Sequence, residues 1–399
     1  MIEQVKILQL AKHFFPDAGG IETVTRSISD MLPAHGIRAD VLCTAVGDFY
    51  PALDLPYRVI RCRPGLRFGR NKSLSFEYVR QIRSLRAEYD AALIHLPNPV
   101  AVAAALAWWT KPIILLWHAD IPQPAIRRLA APFDRALSKR AAAVIGPTPV
   151  HLEASHHAAT LVPSGTIIAY PFERSRLPVA SGASVAAAKV RAFLGGRKLV
   201  LSVGRLIPYK GFEVLIDAAR RLDPQLAAVI VGDGPLMGAL QDAIAAAGVA
   251  DRVMLAGSVD DDALADLLDL AFVGCLPSVT EAEMYGMVQV EAMAFGKPMV
   301  STRLPRSGVP CVNRHDETGL LVEPRDPVAL AAALNRLADD PILYRRLADG
   351  AAESFRTDHD IASTGRAYAE LIRSVLSREP GREAAPRPGA APPLAAKRS

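Results

Sequence analysis

The chain has 399 residues, half of them hydrophobic, and a formal net charge of +5 at pH 7, which suits two domains of roughly 150–200 residues each rather than one core. Its longest apolar stretch, residues 91–107, is interrupted by a histidine and two prolines, and its first residues lack a basic segment followed by an apolar one, so we expect neither a transmembrane helix nor a signal peptide. Four widely spaced cysteines predict reduced thiols in a cytoplasmic protein rather than a disulfide framework or a zinc site.

Short apolar runs alternate with amphipathic stretches along the chain, a pattern typical of repeated β-α units around parallel sheets. In the first half this pattern predicts strands at residues 5–11, 38–43, 57–62, 91–95, 112–117, 141–145 and 166–170. The amphipathic stretches between them predict helices at residues 21–32, 73–89 and 100–108. The first half is therefore predicted to form one α/β domain.

A second series of the same kind begins after a stretch rich in Pro, Ser, Ala and Gly, residues 171–196. Its strands are predicted at residues 198–203, 226–231, 252–256, 271–276 and 298–301, and a last amphipathic helix at residues 361–377. The final residues are mainly Pro, Ala, Gly and Arg, a composition that cannot bury a core and predicts disorder. The sequence thus predicts a first domain, a linker, a second domain, a closing helical segment and a disordered tail, at residues 1–172, 173–197, 198–358, 359–378 and 379–399.

Two glutamates follow the fourth predicted strand of the second half, Glu283 in the loop and Glu291 inside the next helix. Eight helical residues advance at most ~12 Å, which is about the reach from the ribose of a nucleotide sugar to its sugar. One glutamate can therefore bind ribose hydroxyls while the other faces a hexose. The alternative is a helix start with one exposed and one buried acid. The helix opens with four backbone N–H groups that can bind the diphosphate between the glutamates, those of Tyr285, Gly286, Met287 and Val288.

Two cations follow the first predicted strand of the second half. Arg205 and Lys210 lie between Gly204 and Gly211, in the segment that connects this strand to a helix. We expect their side chains to converge on one loop, where two fixed cations can neutralise a diphosphate and stabilise the charge that builds on it as the glycosidic bond breaks. The alternative is a pair of surface cations near a domain boundary.

The two glutamates, with seven residues between them, are followed by Ala-Met-Ala at 292–294 and Gly-Lys-Pro at 296–298. Together with the Gly-Arg-x4-Lys-Gly pattern at 204–211, this arrangement resembles the family 4 glycosyltransferases, which have the GT-B fold and retain the anomeric configuration of the sugar. The resemblance spans nearly all of residues 5–375. It implies an α/β protein of two Rossmann-like domains that face each other across a cleft, with the C-terminal helix crossing back.

The same resemblance implies roles for the charged residues. Glu283 is expected to contact the transferred sugar, Glu291 the ribose, and Arg205 and Lys210 the diphosphate. Where the family usually has Glu-Gly-Phe-Gly, this chain has Glu-Met-Tyr-Gly, in which Tyr285 takes the aromatic place. Because ligands of open α/β sheets bind at the carboxyl ends of the strands, the site is expected in the cleft.

The turn after the first strand carries Gly19 and Gly20. Without Cβ atoms the backbone can approach a ligand closely, and the N-terminus of the following helix adds positive potential. The resemblance implies that this turn approaches the donor phosphates. The alternative is a tight turn that favours glycine for its own geometry.

Polar residues also end two other strands of the first half. His118 can hydrogen-bond a sugar hydroxyl or the reacting groups, and the resemblance implies a histidine near the donor sugar at this place. Asp120 can orient His118 or bind the acceptor. His95 and Asn98, at the end of the preceding strand, are candidates to line the acceptor pocket.

An Asp-x-Asp pair occurs within Asp260-Asp261-Asp262. Other glycosyltransferase folds bind a metal ion with such a pair. Here the aspartates precede an amphipathic helix, so capping and the helix dipole explain them. We therefore expect no metal ion and no cofactor besides the nucleotide-sugar donor.

Residues 58–88 hold nine cations and two acids, a net charge of +7 that exceeds the charge of the whole chain. A basic, partly apolar surface of this kind can bind anionic lipid, and many proteins of the family act on lipid-linked acceptors. The alternative is a solvated helix whose apolar stripe packs inward. The segment lacks the aromatic platforms and groove-reading motifs of nucleic-acid-binding proteins, so nucleic acid is not an expected partner.

The combined patterns predict a metal-independent, retaining glycosyltransferase with His118, Glu283, Arg205 and Lys210 as the catalytic set. No carboxylate is placed as a covalent nucleophile on the other face of the sugar. Front-face attack is therefore expected, with the leaving phosphate accepting the proton of the acceptor.

Segments at 277–280, 308–315 and 318–322 resemble bacterial mannosyl- and rhamnosyltransferases of surface polysaccharide synthesis. This resemblance favours GDP-mannose as donor, with UDP-hexoses as the alternative, and a lipid-linked or saccharide acceptor. It favours a cytoplasmic enzyme at the inner face of the cell membrane. Two other classes remain open, a UDP-sugar epimerase of GT-B fold, which needs no acceptor, and a catalytically silent scaffold, against which the intact acidic and basic pairs argue.

Overall fold

The computed structural model describes residues 4–17, 19–47, 50, 54–67, 73–121 and 123–378. The tail predicted at 379–399 lies outside these residues, as do Arg70 and Lys72 of the predicted basic surface. The described chain forms two α/β halves, each built on one parallel sheet. This confirms the predicted fold class.

Seven strands of the first half form a parallel sheet, and two short strands form a separate antiparallel hairpin. The strands are β1 (Val5–Leu10), β2 (Ile37–Thr44), β3 (Val59–Cys62), β4 (Leu66–Arg67), β5 (Ser73–Leu74), β6 (Ala91–Leu96), β7 (Ile113–Trp117), β8 (Ala143–Gly146) and β9 (Gly165–Ile167). The helices are α1 (Gly20–Met31), α2 (Phe76–Leu85), α3 (Pro99–Trp108), α4 (Pro124–Arg140), α5 (Pro149–Glu153) and α6 (Ala158–Leu161). The order in the sheet is β3-β2-β1-β6-β7-β8-β9, and β4 pairs with β5.

The second half contains a six-stranded parallel sheet. Its strands are β10 (Lys198–Val203), β11 (Leu226–Val231), β12 (Val253–Gly257), β13 (Ala271–Leu276), β14 (Met299–Thr302) and β15 (Gly319–Val322). The helices from the connection onward are α7 (Val185–Leu194), α8 (Phe212–Ala219), α9 (Met237–Ala247), α10 (Asp261–Leu270), α11 (Met287–Ala294), α12 (Val309–Val312), α13 (Pro327–Asp339), α14 (Pro341–Ser354) and α15 (Ile361–Leu376). The order in the sheet is β12-β11-β10-β13-β14-β15.

The central strands are buried along their length, as parallel strands covered by helices on both faces must be. β11 is buried at all six positions, and Ile7, Leu8 and Leu10 of β1 are fully buried. In each sheet the strand order reverses once, between β1 and β6 and between β10 and β13. Such a reversal leaves a crevice at the carboxyl ends of the two strands, where ligands of α/β proteins bind.

The last helix returns from the second half to the first. α15 packs against α1 and the short turn that follows it. Gly365 makes this approach possible, because a Cβ atom there would lie 2.8 Å from His35 Nε2, and Arg373 donates a hydrogen bond to the carbonyl of His35. The helix that was expected to cross back therefore does so.

The structure differs from the sequence analysis in two elements of the second half. Residues 185–194, placed in a linker by composition, form α7, which packs against α10 and β12. Ser184 caps this helix by accepting from the Ala187 N–H over 3.2 Å, and its alanine-rich first turn favours helix. The short edge strand β15 was not predicted, because four apolar residues do not separate a strand from a loop.

The predicted membrane surface at residues 58–88 is not supported by the packing of α2. Tyr78, Ile82 and Leu85, which make up its apolar stripe, are buried in the core of the first half. The stripe packs inward, which is the alternative left open above, and Phe76 alone among the large apolar residues of α2 is strongly exposed, at 75%. Among the described residues, no helix has the length and apolar character required to cross a membrane.

Candidate active site

The candidate site lies where the loops after β10 and β13 meet, at the reversal of the second sheet. Nζ of Lys210 donates to Oε2 of Glu283 over 2.5 Å. The two side chains are 13% and 8% exposed, so water screens the ion pair less than it would at the surface. The hydroxyl of Ser278 donates to the same carboxylate oxygen over 3.0 Å. Oε1 of Glu283 accepts no hydrogen bond from the described residues, which leaves it available to a hydroxyl of a ligand.

Glycine allows the two loops to lie in direct contact. Gly211 ends the turn that carries Lys210 and has φ 66°, a conformation that side chains rarely adopt. A Cβ atom at this position would collide with the carbonyl of Pro277 and lie 2.7 Å from Val279 Cγ1. The Val279 N–H also donates to the Tyr209 carbonyl over 2.8 Å. This contact fixes the distance between Lys210 and Glu283.

A second glycine turn supports the loop of Arg205. A Cβ atom at Gly232 would collide with the Gly204 carbonyl, and one at Gly234 would lie 2.5 Å from the Leu206 carbonyl. The Leu206 N–H donates to the carbonyl of Asp233 over 2.9 Å. Arg205 itself is exposed, and its side chain has no hydrogen bond or ion pair with a described residue. Its guanidinium is therefore free to bind an anion at the carboxyl end of β10.

Glu291 lies in α11, close to the Lys210 ion pair. Burial raises the pKa of Glu291 to about 7, the Lys210 ammonium lowers this pKa, and the Asp261 carboxylate raises it. The structure brings Lys210 and Glu283 into direct contact, and Glu291 lies in the second turn of the helix that follows the Glu283 loop.

The N-terminus of α11 lies between the two glutamates in sequence. Gly286 caps this helix with φ 74°, and a Cβ atom there would lie 2.6 Å from Leu276 Cδ2. None of the four N–H groups that open the helix donates to a described residue, as expected for the first turn of an α-helix. These are the backbone groups predicted to bind a diphosphate, at positions 285–288.

A cavity of about 480 Å³ opens beside the N-terminus of α10 and includes Ser258, Lys189 and Asp260 in its walls. Asp260 caps α10, since its side chain accepts from the Ala263 N–H over 2.9 Å. This is the capping role that the sequence predicted for the aspartate cluster. Ser258 and Val259 of its wall directly follow β12, so the cavity lies at the carboxyl edge of the second sheet, as the charged groove does.

The glycine turn of the first half is less open to an anion than predicted. Gly19 caps α1, and the side chain of Glu22 folds over it, so that a Cβ atom at Gly19 would collide with the Glu22 carboxylate. This carboxylate is favourable at a helix N-terminus but repels phosphate. Gly20 is open, with no described atom within 4 Å of a Cβ position. Phosphate binding at this turn therefore requires Glu22 to move.

His118 was predicted to face the cleft, but its side chain is enclosed within the protein. It is 3% exposed, its Nδ1 lies 2.5 Å from the Tyr170 hydroxyl, and its Nε2 lies 3.0 Å from Nδ1 of His95. The rings of His95 and His118 stack with centroids 5.3 Å apart, because His95 pairs with Leu116 across β6 and β7 and His118 lies two residues beyond Leu116. Nε2 of His95 in turn lies 2.8 Å from Oε1 of Gln9. Both nitrogens of His118 are thus engaged within the protein.

Two further acceptor candidates also have structural roles. Asn98 is 5% exposed and caps α3 by accepting from the Ala101 N–H over 3.2 Å. Its side chain therefore serves as a helix cap, and His95 is enclosed in the network just described. Asp120 accepts from the Ser155 hydroxyl over 2.6 Å and from the His156 N–H over 2.8 Å. Its carboxylate ties the loop after β7 to the loop after α5.

The side chain of Tyr285 points away from the charged groove. Its ring packs against that of Tyr170, with centroids 4.5 Å apart, and its hydroxyl accepts from the Tyr170 N–H over 3.2 Å. Nδ1 of His359 lies 3.2 Å from the same hydroxyl. Only the backbone of Tyr285 can therefore serve a diphosphate. Sequence patterns missed Tyr170 and His359, since neither belongs to a motif.

Comparison with known proteins agrees with this geometry. Residues 18–165 match the family described as Glycosyltransferase Family 4, and residues 187–354 match Glycosyl transferases group 1. The fold and the site define a GT-B glycosyltransferase, and the chain belongs to this family of hexosyltransferases. The first matched region contains β2 to β8, and the second contains all six strands of the second sheet.

Curated relatives cover most of the chain. D-rhamnosyltransferase WbpZ of Pseudomonas aeruginosa is 28% identical over 356 residues, which cover 88% of this chain and 91% of WbpZ. O-antigen chain mannosyltransferase C of Escherichia coli is 24% identical over 93% of this chain and its own full length. Among solved structures, Anabaena HepE in complex with UDP superposes with a TM-score of 0.74 at 24% identity, covering 93% of this chain and all of HepE. The chain is thus a glycosyltransferase related to enzymes of polysaccharide biosynthesis.

Proposed function

We propose that this protein is a retaining glycosyltransferase that moves a mannosyl group from GDP-mannose to a lipid-linked or saccharide acceptor during surface polysaccharide synthesis, at the inner face of the cell membrane. The observation that carries the proposal is the shielded Lys210–Glu283 ion pair, with Glu291 and the open N-terminus of α11 beside it. Cations, hydrogen-bond donors and acceptors of hydroxyl groups therefore occur in one groove. A nucleotide sugar presents the complementary groups, a diphosphate and the hydroxyls of ribose and sugar.

The donor is placed by matching each of its parts to one group of the groove. Glu291 accepts the ribose hydroxyls, and the cavity beside α10 holds the base, since its volume of about 480 Å³ is sufficient for a nucleoside. Arg205, Lys210 and the first N–H groups of α11 bind the diphosphate. Oε1 of Glu283 then accepts a hydroxyl of the sugar.

Front-face attack is proposed because the carboxylate of Asp120 is already engaged and is not free to act as a covalent nucleophile. Asp120, predicted to orient His118 or bind the acceptor, already accepts hydrogen bonds with both of its oxygens. His118 is enclosed and its pKa is lowered by burial, so it remains neutral and acts as a positioning residue behind the cleft. The leaving phosphate, held by Lys210 and Arg205, is the base that accepts the proton of the acceptor.

The donor identity rests on the names of the relatives. They include a D-rhamnosyltransferase, an O-antigen mannosyltransferase and an MMP alpha-(1->4)-mannosyltransferase, whereas HepE was solved with UDP. Mannosyl transfer from GDP-mannose is therefore the first hypothesis and transfer from a UDP-hexose the second.

A donor panel tests the proposal. Purified protein is incubated with GDP- and UDP-sugars, with and without a lipid-linked saccharide acceptor, in buffer that contains EDTA. We expect acceptor-dependent release of GDP from GDP-mannose, undiminished by EDTA because cations of the chain neutralise the diphosphate. Conversion of a UDP-sugar without acceptor would instead indicate an epimerase. Absence of turnover with every donor, although nucleotide binds, would indicate a silent scaffold.

Donor binding is expected to weaken as the pH falls from 8 to 6. The pKa of Glu291 is raised to about 7, so its carboxylate is protonated through this range and loses charge-assisted hydrogen bonds to ribose. The donor Kd should increase about tenfold, the difference between charged and neutral hydrogen bonds. Isothermal titration at several pH values measures it. Glu291→Gln should bind weakly with little pH dependence, while Glu281→Gln, at an exposed position of the same loop, should behave as wild type; the same slope in Glu291→Gln would contradict the assignment.

A further inference from the structure

Helix α4 presents an apolar stripe to solvent. Ile126, Leu129 and Phe133 are 41%, 77% and 53% exposed. Their spacing of three and four residues places them on one side of the helix. Large apolar side chains exposed singly are common, but three in a row on one helix mark a binding surface.

The charged residues of α4 also differ between its outward and inward faces. Arg128, Arg135 and Lys139 are exposed and recur at spacings of seven and four residues, so they form a row on one side of the helix, about a quarter turn or more around from the apolar stripe. The one acid of the helix, Asp134, faces inward, where its carboxylate lies 3.9 Å from Nε2 of His157. The outward face of α4 therefore carries cations and apolar groups and no acid.

A third side of the helix, adjacent to the apolar stripe, already has its packing partners. Leu137 and Ser138 are buried together with Asp134, and α4 packs against α3 and α6. The exposed stripe is thus not needed for the core. This distinguishes α4 from α2, whose apolar stripe of Tyr78, Ile82 and Leu85 is buried.

We propose that α4 lies in the plane of an anionic lipid bilayer, with Ile126, Leu129 and Phe133 inserted at the boundary of headgroups and acyl chains. Arg128, Arg135 and Lys139 then contact the anionic headgroups. The face is a convex helix surface rather than a groove, which suits a bilayer better than a peptide. The docking surface is therefore α4, not residues 58–88.

This docking has a consequence for the cleft, which rests on the proposed function. β7 ends at Trp117 and α4 begins at Pro124, so the first turns of α4 lie at the carboxyl edge of the first sheet. That edge faces the cleft. A bilayer under α4 therefore lies at the mouth of the site, where a lipid-linked acceptor is presented.

Vesicle binding by the full-length protein tests the proposal. We expect cosedimentation with phosphatidylcholine vesicles that contain phosphatidylglycerol, and weak binding to pure phosphatidylcholine. Leu129→Glu/Phe133→Glu should weaken the apparent affinity at least tenfold. The matched control is Val328→Glu/Ile342→Glu, since these side chains are 55% and 82% exposed on helices of the second half, and it should bind as wild type.

Two further double variants distinguish the contribution of the α4 cations from that of the α2 cations. Arg128→Gln/Arg135→Gln should reduce binding and its salt dependence, while Arg80→Gln/Arg83→Gln on α2 should change neither. The proposal is wrong if wild type does not bind anionic vesicles, if it binds neutral ones equally, or if the α2 pair and not the α4 variants abolishes binding. Thermal unfolding checks that every variant is folded. Transfer to a soluble saccharide, measured in parallel, is expected to be unchanged in the α4 variants, so that loss of docking is distinguished from loss of the proposed enzymatic activity.

Discussion

Replacing Lys210 by methionine is expected to lower kcat for sugar transfer by about 10²–10³-fold, the range measured for loss of one preorganised group that stabilises developing charge. The ammonium lies in a shielded groove, paired with Glu283 over 2.5 Å. Its charge is therefore weakly screened when negative charge builds on the leaving diphosphate. Methionine keeps most of the side-chain volume and removes only the charge. Initial rates with saturating donor and acceptor measure the effect.

The control for this experiment is Arg58→Met, which removes a cation from a surface ion pair with Glu88 and should leave kcat within about twofold. Lys210→Met also leaves the buried Glu283 without its partner, which can destabilise the fold. Lys210→Met/Glu283→Gln removes both charges and separates stability from catalysis: it should fold as wild type and remain inactive. A folded Lys210→Met protein with the turnover of wild type would exclude Lys210 from the site.

The parts of the site that were predictable from sequence are those fixed by topology. Lys210 and Glu283 are 73 residues apart, but each follows a buried strand. Because the strands of a parallel sheet end at the same edge, the loops were expected to meet. The glycines between these loops also indicate where the loops approach each other. Gly211 is required both by its φ of 66° and by its contact with Pro277.

The orientation of single side chains was not predictable in this way. His118 follows a strand, as a site residue should, but its direction is decided by Tyr170, which lies 52 residues away and packs on Tyr285 from the other half. No periodic pattern encodes such a partner. The same limit applies to α2 and α4, since both combine cations with apolar residues, and only the packed structure separates the buried stripe from the exposed one.

Acid is expected to destabilise the protein steeply between pH 6.5 and 4. Four histidines near the boundary of the two halves are buried, and burial lowers their pKa: to about 3 for His95, about 4 for His151 and His359, and well below 6.5 for His118. The unfolded chain therefore binds protons that the native state does not. Stability is complete above the unfolded pKa of about 6.5 and is lost as the pH falls, by roughly 1.4 kcal/mol per pH unit for each histidine.

Two buried acids act in the opposite sense. Burial raises the pKa of Glu291 to about 7 and that of Asp134 to about 6, so the native state binds their protons first and gains stability as the pH falls. Because four histidines lower the stability and two acids raise it as the pH falls, the unfolding free energy should change with a net slope on the order of 2–3 kcal/mol per pH unit. Since domains are stable by only about 5–15 kcal/mol, this slope is sufficient to unfold the protein near pH 4.

Removing one of the four histidines should make this acid transition shallower. His151→Leu is the suitable variant, because Nε2 of His151 is buried without a hydrogen-bond partner among the described residues. Nδ1 of the same ring lies 2.8 Å from the Thr148 hydroxyl, so the variant is expected to lose about 1 kcal/mol of stability at every pH, a loss that does not change the slope. The slope of unfolding free energy against pH, from denaturant titrations, should decrease by about 1.4 kcal/mol per pH unit. His156→Asn, at an exposed position, should leave the slope as it is in wild type. An unchanged slope in His151→Leu would show that the His151 ring is solvated in the native protein. In that case the histidine and tyrosine contacts between the two halves would not exclude water, and they would not be what keeps His118 neutral.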